Sequence, residues 1–143
     1  MLQTDTPTAT RLFVERYRDR RSKNPIYPPT LISDETVQPL ISEWLLTGHG
    51  VVAEREGEMV GYLIGRETSG MGGLGMSFVP EWAHSTKTGA PENLTGDLYA
   101  KWCRISDRTE STLHMAIVFA DDLSAHDSFV QKGFGRHLID GGR

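Results

Sequence analysis

The chain has 143 residues, 38% apolar and 24% charged, which suffices for one domain with a hydrophobic core and excludes a disordered chain. Fifteen basic side chains against nineteen acidic ones give a formal net charge of −4, which argues against a general nucleic-acid or membrane-surface binder. Cys103 is the single cysteine, so no intramolecular disulfide forms; no run nears the roughly 18 apolar residues of a membrane span, and the expected location is the cytoplasm.

The expected domain covers residues 1–143, with residues 1–9 as a loose lead-in. A first helix is expected from about Thr10 to Arg21, where Leu12, Phe13 and Tyr17 form a narrow apolar stripe. After Asn24-Pro25 and Pro28-Pro29, the spacing of Val37, Leu40, Ile41, Trp44 and Leu45 predicts a second helix. Ser33 is its candidate cap, and Pro39 requires either a start near Gln38 or a kink. Val51 to Arg55 and Met59 to Gly65 flank a short polar turn and read as a hairpin. A glycine-rich turn, Ser69 to Gly75, leads to a third strand, Leu74 to Val79, closed by Pro80.

A long polar loop separates that strand from a helix marked by Leu94, Leu98, Trp102 and Ile105. Leu113 to Ala120 is a nearly continuous apolar run, the pattern of a strand buried on both faces. A last helix from about Ser124 to Lys132 has capping-box spacing at Ser124 and Asp127 and a stop at Gly133, and Phe134 to Asp140 reads as a final strand. This order predicts an α/β (α+β) fold: a mixed, mostly antiparallel central sheet flanked by helices, with a C-terminal strand–helix–strand crossover.

Three segments carry a family resemblance. Val52-Ala53-Glu54-Arg55-Glu56-Gly57-Glu58-Met59-Val60-Gly61-Tyr62-Leu63 is similar to a V-A-x-x-D/E-G-x-x-V-G-Y hairpin. Phe78-Val79-Pro80-Glu81 is similar to a V-x-P-E strand end, and Asp127 to Phe134 is similar to a closing F-Y-x-K-x-G-F. In this order the segments resemble the GNAT superfamily of acyl-CoA-dependent N-acetyltransferases. More narrowly, Phe78 to His84, the helix around Leu98-Tyr99, His114 and Ala125-His126-Asp127 resemble the N-terminal lobe of tandem, two-lobed GNAT proteins. That resemblance implies a partner, either a second GNAT lobe that carries catalysis or a second copy of the chain, and no nucleic acid or membrane.

The resemblance also implies acetyl-CoA as cofactor, with the backbone of Phe78 and Val79 pairing with the pantetheine arm. GNAT enzymes hold the pyrophosphate with backbone amides of a Q/R-x-x-G-x-G/A loop that opens the helix after the fourth strand of the family. The stretch from Glu81 to Gly96 contains no such motif, which leaves Lys87, Thr88 and Gly89 as candidate phosphate contacts. Many of these enzymes place a tyrosine as the acid just before the closing Gly-Phe, and Phe129 stands there in this chain. Glu81, His84 and His126 are the candidate bases or proton shuttles. The expected function is therefore a GNAT-like lobe without acetyltransferase activity of its own. The rivals are an atypical enzyme moving acetyl from acetyl-CoA to a primary amine, and a small-molecule or partner-binding module using the same cleft.

Other signals have plainer readings. Gly70 to Gly75 matches G-x-G-x-x-G but lies between two expected strands, so it reads as a turn rather than a dinucleotide fingerprint. His84, His114 and His126, with Asp121, Asp122 and Asp127, lack the local spacing of a zinc site, and no metal is expected. Arg11, Arg16, Arg18, Arg20, Arg21 and Lys23 read as a solvated helix face, and Cys103 as a buried, unreactive thiol.

Overall fold

The computed structural model describes residues 1–69, 75–106 and 111–136. They form α1 (Thr6–Lys23), α2 (Asp34–Thr47), β1 (His49–Arg55), β2 (Glu58–Ser69), β3 (Gly75–Val79), β4 (His84–Thr86), α3 (Leu94–Ile105), β5 (Ser111–Ala116) and α4 (Leu123–Gln131). The sheet runs β1-β2-β3-β5, with β4 also paired to β2. All pairs are antiparallel except β3 with β5, which are parallel and joined through α3. The mixed sheet and the crossover match the architecture expected from the sequence.

β2 organises this sheet. It leaves β1 through a two-residue turn, Glu56-Gly57, whose φ values of 55° and 79° are those of a type I′ hairpin. Tyr62, Leu63 and Ile64 are each fully buried, because β2 has helices on both sides. Gly61 and Gly65 face α3: a Cβ on Gly65 would lie 2.5 Å from the Trp102 ring, and one on Gly61 would lie 3.1 Å from Leu94. Arg66, one residue on, points the other way to Trp44 of α2, as the period-2 geometry of a strand requires. The missing side chain at Gly65 is what lets Trp102 sit flat on the sheet and donate from Nε1 to the Gly65 carbonyl, 3.3 Å away.

Several expectations need correction. α1 starts at Thr6, inside the segment expected to be a loose lead-in, and Ala9 is fully buried. Thr6, Thr8, Ala9 and Thr10 carry no apolar periodicity, so the sequence signal begins only at Leu12. α2 starts after Ser33 and runs through Pro39. α4 is capped by Asp122, whose Oδ1 accepts from the Ala125 amide at 3.2 Å, while Ser124 and Ser128 donate instead to the Glu92 carbonyl. Its end is a Schellman turn: the amides of Gly133 and Phe134 bond to the carbonyls of Val130 and Phe129, Gly133 takes φ 93°, and the Phe134 ring meets Phe129 edge-on at 5.0 Å.

The run after Leu113 also differs from its pattern. β5 ends at Ala116, and Leu113 and Ile117 are 41% and 43% exposed, because β5 is an edge of the described sheet rather than a central strand. Of the expected last strand, residues 134–136 are irregular, and the rest lies outside the described residues. The basic run of α1 is a solvated face only in part: Arg11, Arg18 and Lys23 are exposed, and the others are not. Arg20, 7% exposed, pairs with Asp121 and Asp122, and Arg16 also reaches Asp122. Arg18 and Arg21 donate to the carbonyls of Ile32 and Tyr27, so these cations clamp α1 to the loops that follow α1 and β5.

Two substitutions test this packing. Gly65→Ala should cost about 1–3 kcal/mol by forcing Trp102 off the sheet. Asp122→Ala should cost about 3 kcal/mol or more, since it removes the α4 cap and strips the buried Arg20 of a partner. Urea denaturation of each variant against the parent chain measures both.

Candidate functional site

The C-terminal ends of β3 and β5 bring together Phe78, Val79 and His84 of the residues singled out from the sequence. Phe78 lies in register with Arg66 of β2 on one side and Met115 of β5 on the other. Val79 pairs with Ala116, and its carbonyl accepts from the Ile117 amide at 2.9 Å. The two parallel strands are thus hydrogen-bonded to their ends. Pro80 turns the chain, and the Ala83 amide bonds back to the Pro80 carbonyl at 3.0 Å.

The loop expected between this strand and α3 then folds into a strand of its own. His84, Ser85 and Thr86 form β4 and pair with Leu63, Tyr62 and Gly61. The Ala83 carbonyl accepts from the Ile64 amide, and the Lys87 amide donates to the Val60 carbonyl, both at 2.8 Å. Tyr62 Oη donates to the Trp82 carbonyl at 2.6 Å. β3 pairs with β2 at Arg66 to Ser69 and β4 pairs with it at Gly61 to Leu63, so the two share one edge of the longer strand.

His84 fills the space past the ends of β3 and β5. Its Nε2 is 2.9 Å from the Ile117 carbonyl, which can only accept, so Nε2 carries the proton and Nδ1 is the basic nitrogen. The ring stands edge-on to Phe129 at 5.8 Å. Burial pushes the His84 pKa below its ordinary value, against the opposing pull of the Ile117 bond and of Asp122 and Glu81. Asp122 moves the same way for another reason. Burial alone would raise its pKa, but the Ala125 amide, Arg20, Arg16 and His84 outweigh it and hold the carboxyl below the usual range.

The other candidates are dispersed. Glu81 is half-buried and makes no hydrogen bond or ion pair among the described residues; its charge reaches both His84 and Tyr17. His126 lies on α4, but it is Phe129 of that helix that meets His84. Lys87, Thr88 and Gly89 form a turn closed by the Ala90 amide on the Lys87 carbonyl, and they line a cleft of about 350 Å³ with Arg55, Glu58 and Pro91. The Lys87 ammonium is 2.7 Å from Glu58. Phe129 is buried against Tyr99 and Phe134, and Tyr99 Oη is 2.7 Å from His114 Nδ1. Among the described residues no group of three His, Cys, Asp or Glu side chains is placed to share a metal ion, and no helix is long and apolar enough to cross a membrane.

Sequence reasoning missed Asp122 and Arg20 as neighbours of this site. The one available signal was Asp122 itself, a capping residue one position before α4.

No family model and no curated protein matches the sequence. Solved structures do match in shape. A ribosomal-protein-alanine N-acetyltransferase from Brucella melitensis biovar Abortus 2308 superposes with a TM-score of 0.65 at 11% identity, over 99% of this chain and 96% of that one. An aminoglycoside acetyltransferase from an uncultured soil metagenomic sample gives 0.66 at 15% identity, over 100% and 91%. The wild-type protein TTHA1254 from Thermus thermophilus gives 0.63 at 13% identity, over 100% and 92%. The chain therefore has the GNAT fold, in agreement with the resemblance carried by its hairpin, strand end and closing segment.

The His84 geometry predicts a pH dependence. Its depressed folded pKa contributes stability that is complete above the unfolded value of about 6.5 and is lost as pH falls toward the folded value. Asp122 contributes in the same direction in a separate window, below about pH 4. Urea midpoints measured at pH 7.5 and 5.5 should fall more for the parent chain than for His84→Gln.

Proposed function

We propose that this chain is a GNAT-fold lobe that does not transfer acetyl groups by itself, and that a second GNAT lobe or a second copy supplies the catalytic half. The observation that carries this reading is the closure at the ends of β3 and β5. A pantetheine arm needs unpaired backbone beside splayed strands, but Phe78 has strands on both sides and the Val79 carbonyl is bonded to Ile117. His84, bonded to the Ile117 carbonyl, occupies the space beyond.

The phosphate end of the ligand fares no better. A pyrophosphate loop works by aiming free amides at the anion. The chain between β3 and α3 contains the strand β4, and the amides of Ala83, Lys87, Ala90 and Leu94 donate within the protein. Lys87 is neutralised by Glu58, and Phe129 supplies no proton for a leaving thiolate. The residues present thus do not fit acetyl-CoA in the mode that the fold family uses.

Calorimetric titration with acetyl-CoA should give no saturable heat at micromolar concentrations. Micromolar binding would overturn the reading.

One observation favours a second reading, an atypical N-acetyltransferase acting on a primary amine. Glu81 makes no hydrogen bond or ion pair among the described residues and its charge acts on His84, whose buried ring stays neutral and keeps Nδ1 able to accept a proton. If acetyl transfer to a primary amine is detected, Glu81→Gln or His84→Ala should lower kcat at least about tenfold. An activity indifferent to both substitutions removes these residues from the mechanism.

A further inference from the structure

Arg66 and Phe78 are directly opposed on β2 and β3, so their side chains leave the same face of the sheet. α2 crosses above them and sets Trp44 on that face. The Arg66 guanidinium lies over the Trp44 ring, with Cζ 3.6 Å from the centroid. Trp44 is in turn walled by Phe78 at 6.0 Å and Trp82 at 5.4 Å, both nearly perpendicular to it. All four side chains are half-buried, and Met115, in register with Phe78 on β5, extends the apolar floor.

The charge on this platform meets no carboxylate among the described residues. A guanidinium has five N–H donors in a rigid fork. One nitrogen, Nη1, donates to Thr47 Oγ1 at 3.1 Å, and Arg66 makes no ion pair with any carboxylate among the described residues. Glu67 follows it on the strand and so points to the opposite face. By contrast, Arg16, Arg18, Arg20 and Arg21 of α1 are each bound to a carboxylate or a carbonyl. The Trp44 indole Nε1 is enclosed without an acceptor among the described residues, so Thr47 Oγ1 is the acceptor this patch offers to its donors there.

We infer that Arg66, held on Trp44, is a binding site for a carboxylate carried on an aromatic ring. Stacking fixes the plane of the guanidinium before any ligand arrives, which lowers the ordering cost of a bidentate pair. The two carboxylate oxygens take the outward donors of the fork, and the ring of the ligand lies against Phe78 and the neighbouring Met115. The order of requirements follows from this layout: the negative charge meets Arg66, and the ring meets the aromatic wall. The site lies on the α2 face and takes only the side chains of Phe78 and Met115 from the β3–β5 ends, not β4, His84 or the strand backbone, so benzoate binding at Arg66 and acetyl-CoA binding are tested by separate measurements.

Benzoate is a suitable probe, read by quenching of tryptophan fluorescence at constant ionic strength. Acetate, benzyl alcohol and benzamidine serve as the analogues without the ring, without the charge and with the opposite charge. Saturable benzoate binding is expected, at least about tenfold tighter than acetate or benzyl alcohol, with no binding of benzamidine. Arg66→Gln should abolish it, and Arg66→Lys, which keeps the charge but not the fork, should weaken it at least about tenfold. Melting curves for both variants establish that they fold, and either one alone suffices for the comparison. Acetate binding as well as benzoate, benzamidine binding in place of benzoate, unchanged affinity in both variants, or no saturation with benzoate would each overturn the inference.

Discussion

A single strand sets the terms for the rest of this molecule. β2 is buried on both faces from Gly61 to Gly65, and it accepts α3 so closely that two of those five positions have no side chain. Trp102 rests on Gly65, Leu94 and Leu98 rest on Gly61, and the three residues between them are inaccessible to solvent. Burying a strand in this way obliges every backbone group along it to find a partner. β1 takes one edge along its length, and β3 and β4 divide the other. The formation of β4 follows from that requirement: where β3 leaves β2, the next segment of chain closes the exposed edge.

This strand, where a loop was expected, also fixes what lies beyond β3. The segment is pinned to β2, and its first residue, His84, bonds to the Ile117 carbonyl and meets Phe129 edge-on. The charged network around Arg20 then ties the helical side to the same place. Tyr27 Oη donates to Asp121, Arg20 reaches both Asp121 and Asp122, and Asp122 caps α4 while its charge bears on His84. A buried arginine is tolerated because its donors are met by two carboxylates and its guanidinium lies over Phe119 at 4.7 Å. The ends of β3 and β5 are therefore bonded to each other, with His84 bonded to the Ile117 carbonyl just past them.

The face toward α2 has the opposite character. Its guanidinium is stacked but unpaired with any carboxylate among the described residues, and its aromatic walls are half-buried. Arg20 and Arg66 both lie against an aromatic ring, yet only Arg20 is met by carboxylates. An arginine saturated by carboxylates holds elements together, whereas one with an unfilled fork can serve a ligand.

How much of this was legible depends on the distance over which each feature is encoded. The hairpin, the glycine stop of α4, the strand ending at Pro80 and the α3 stripe are written in neighbouring residues, through turn chemistry and periodicity, and the sequence alone determined them. It also carried the two departures from the acetyltransferase pattern, the missing amide loop and Phe129. The early start of α1 was hidden because threonine and alanine have no apolar period. β5 read as a central strand because an apolar run does not state which edge of a sheet it will occupy. The pairing of β4 with β2, the clamp of Arg20 on Asp121 and Asp122, and the meeting of Arg66 with Trp44 join residues that are about 20 to 100 positions apart. Only the tertiary structure decided these, because each depends on which surfaces packing leaves next to each other and on which backbone and charged groups still lack partners when it is done.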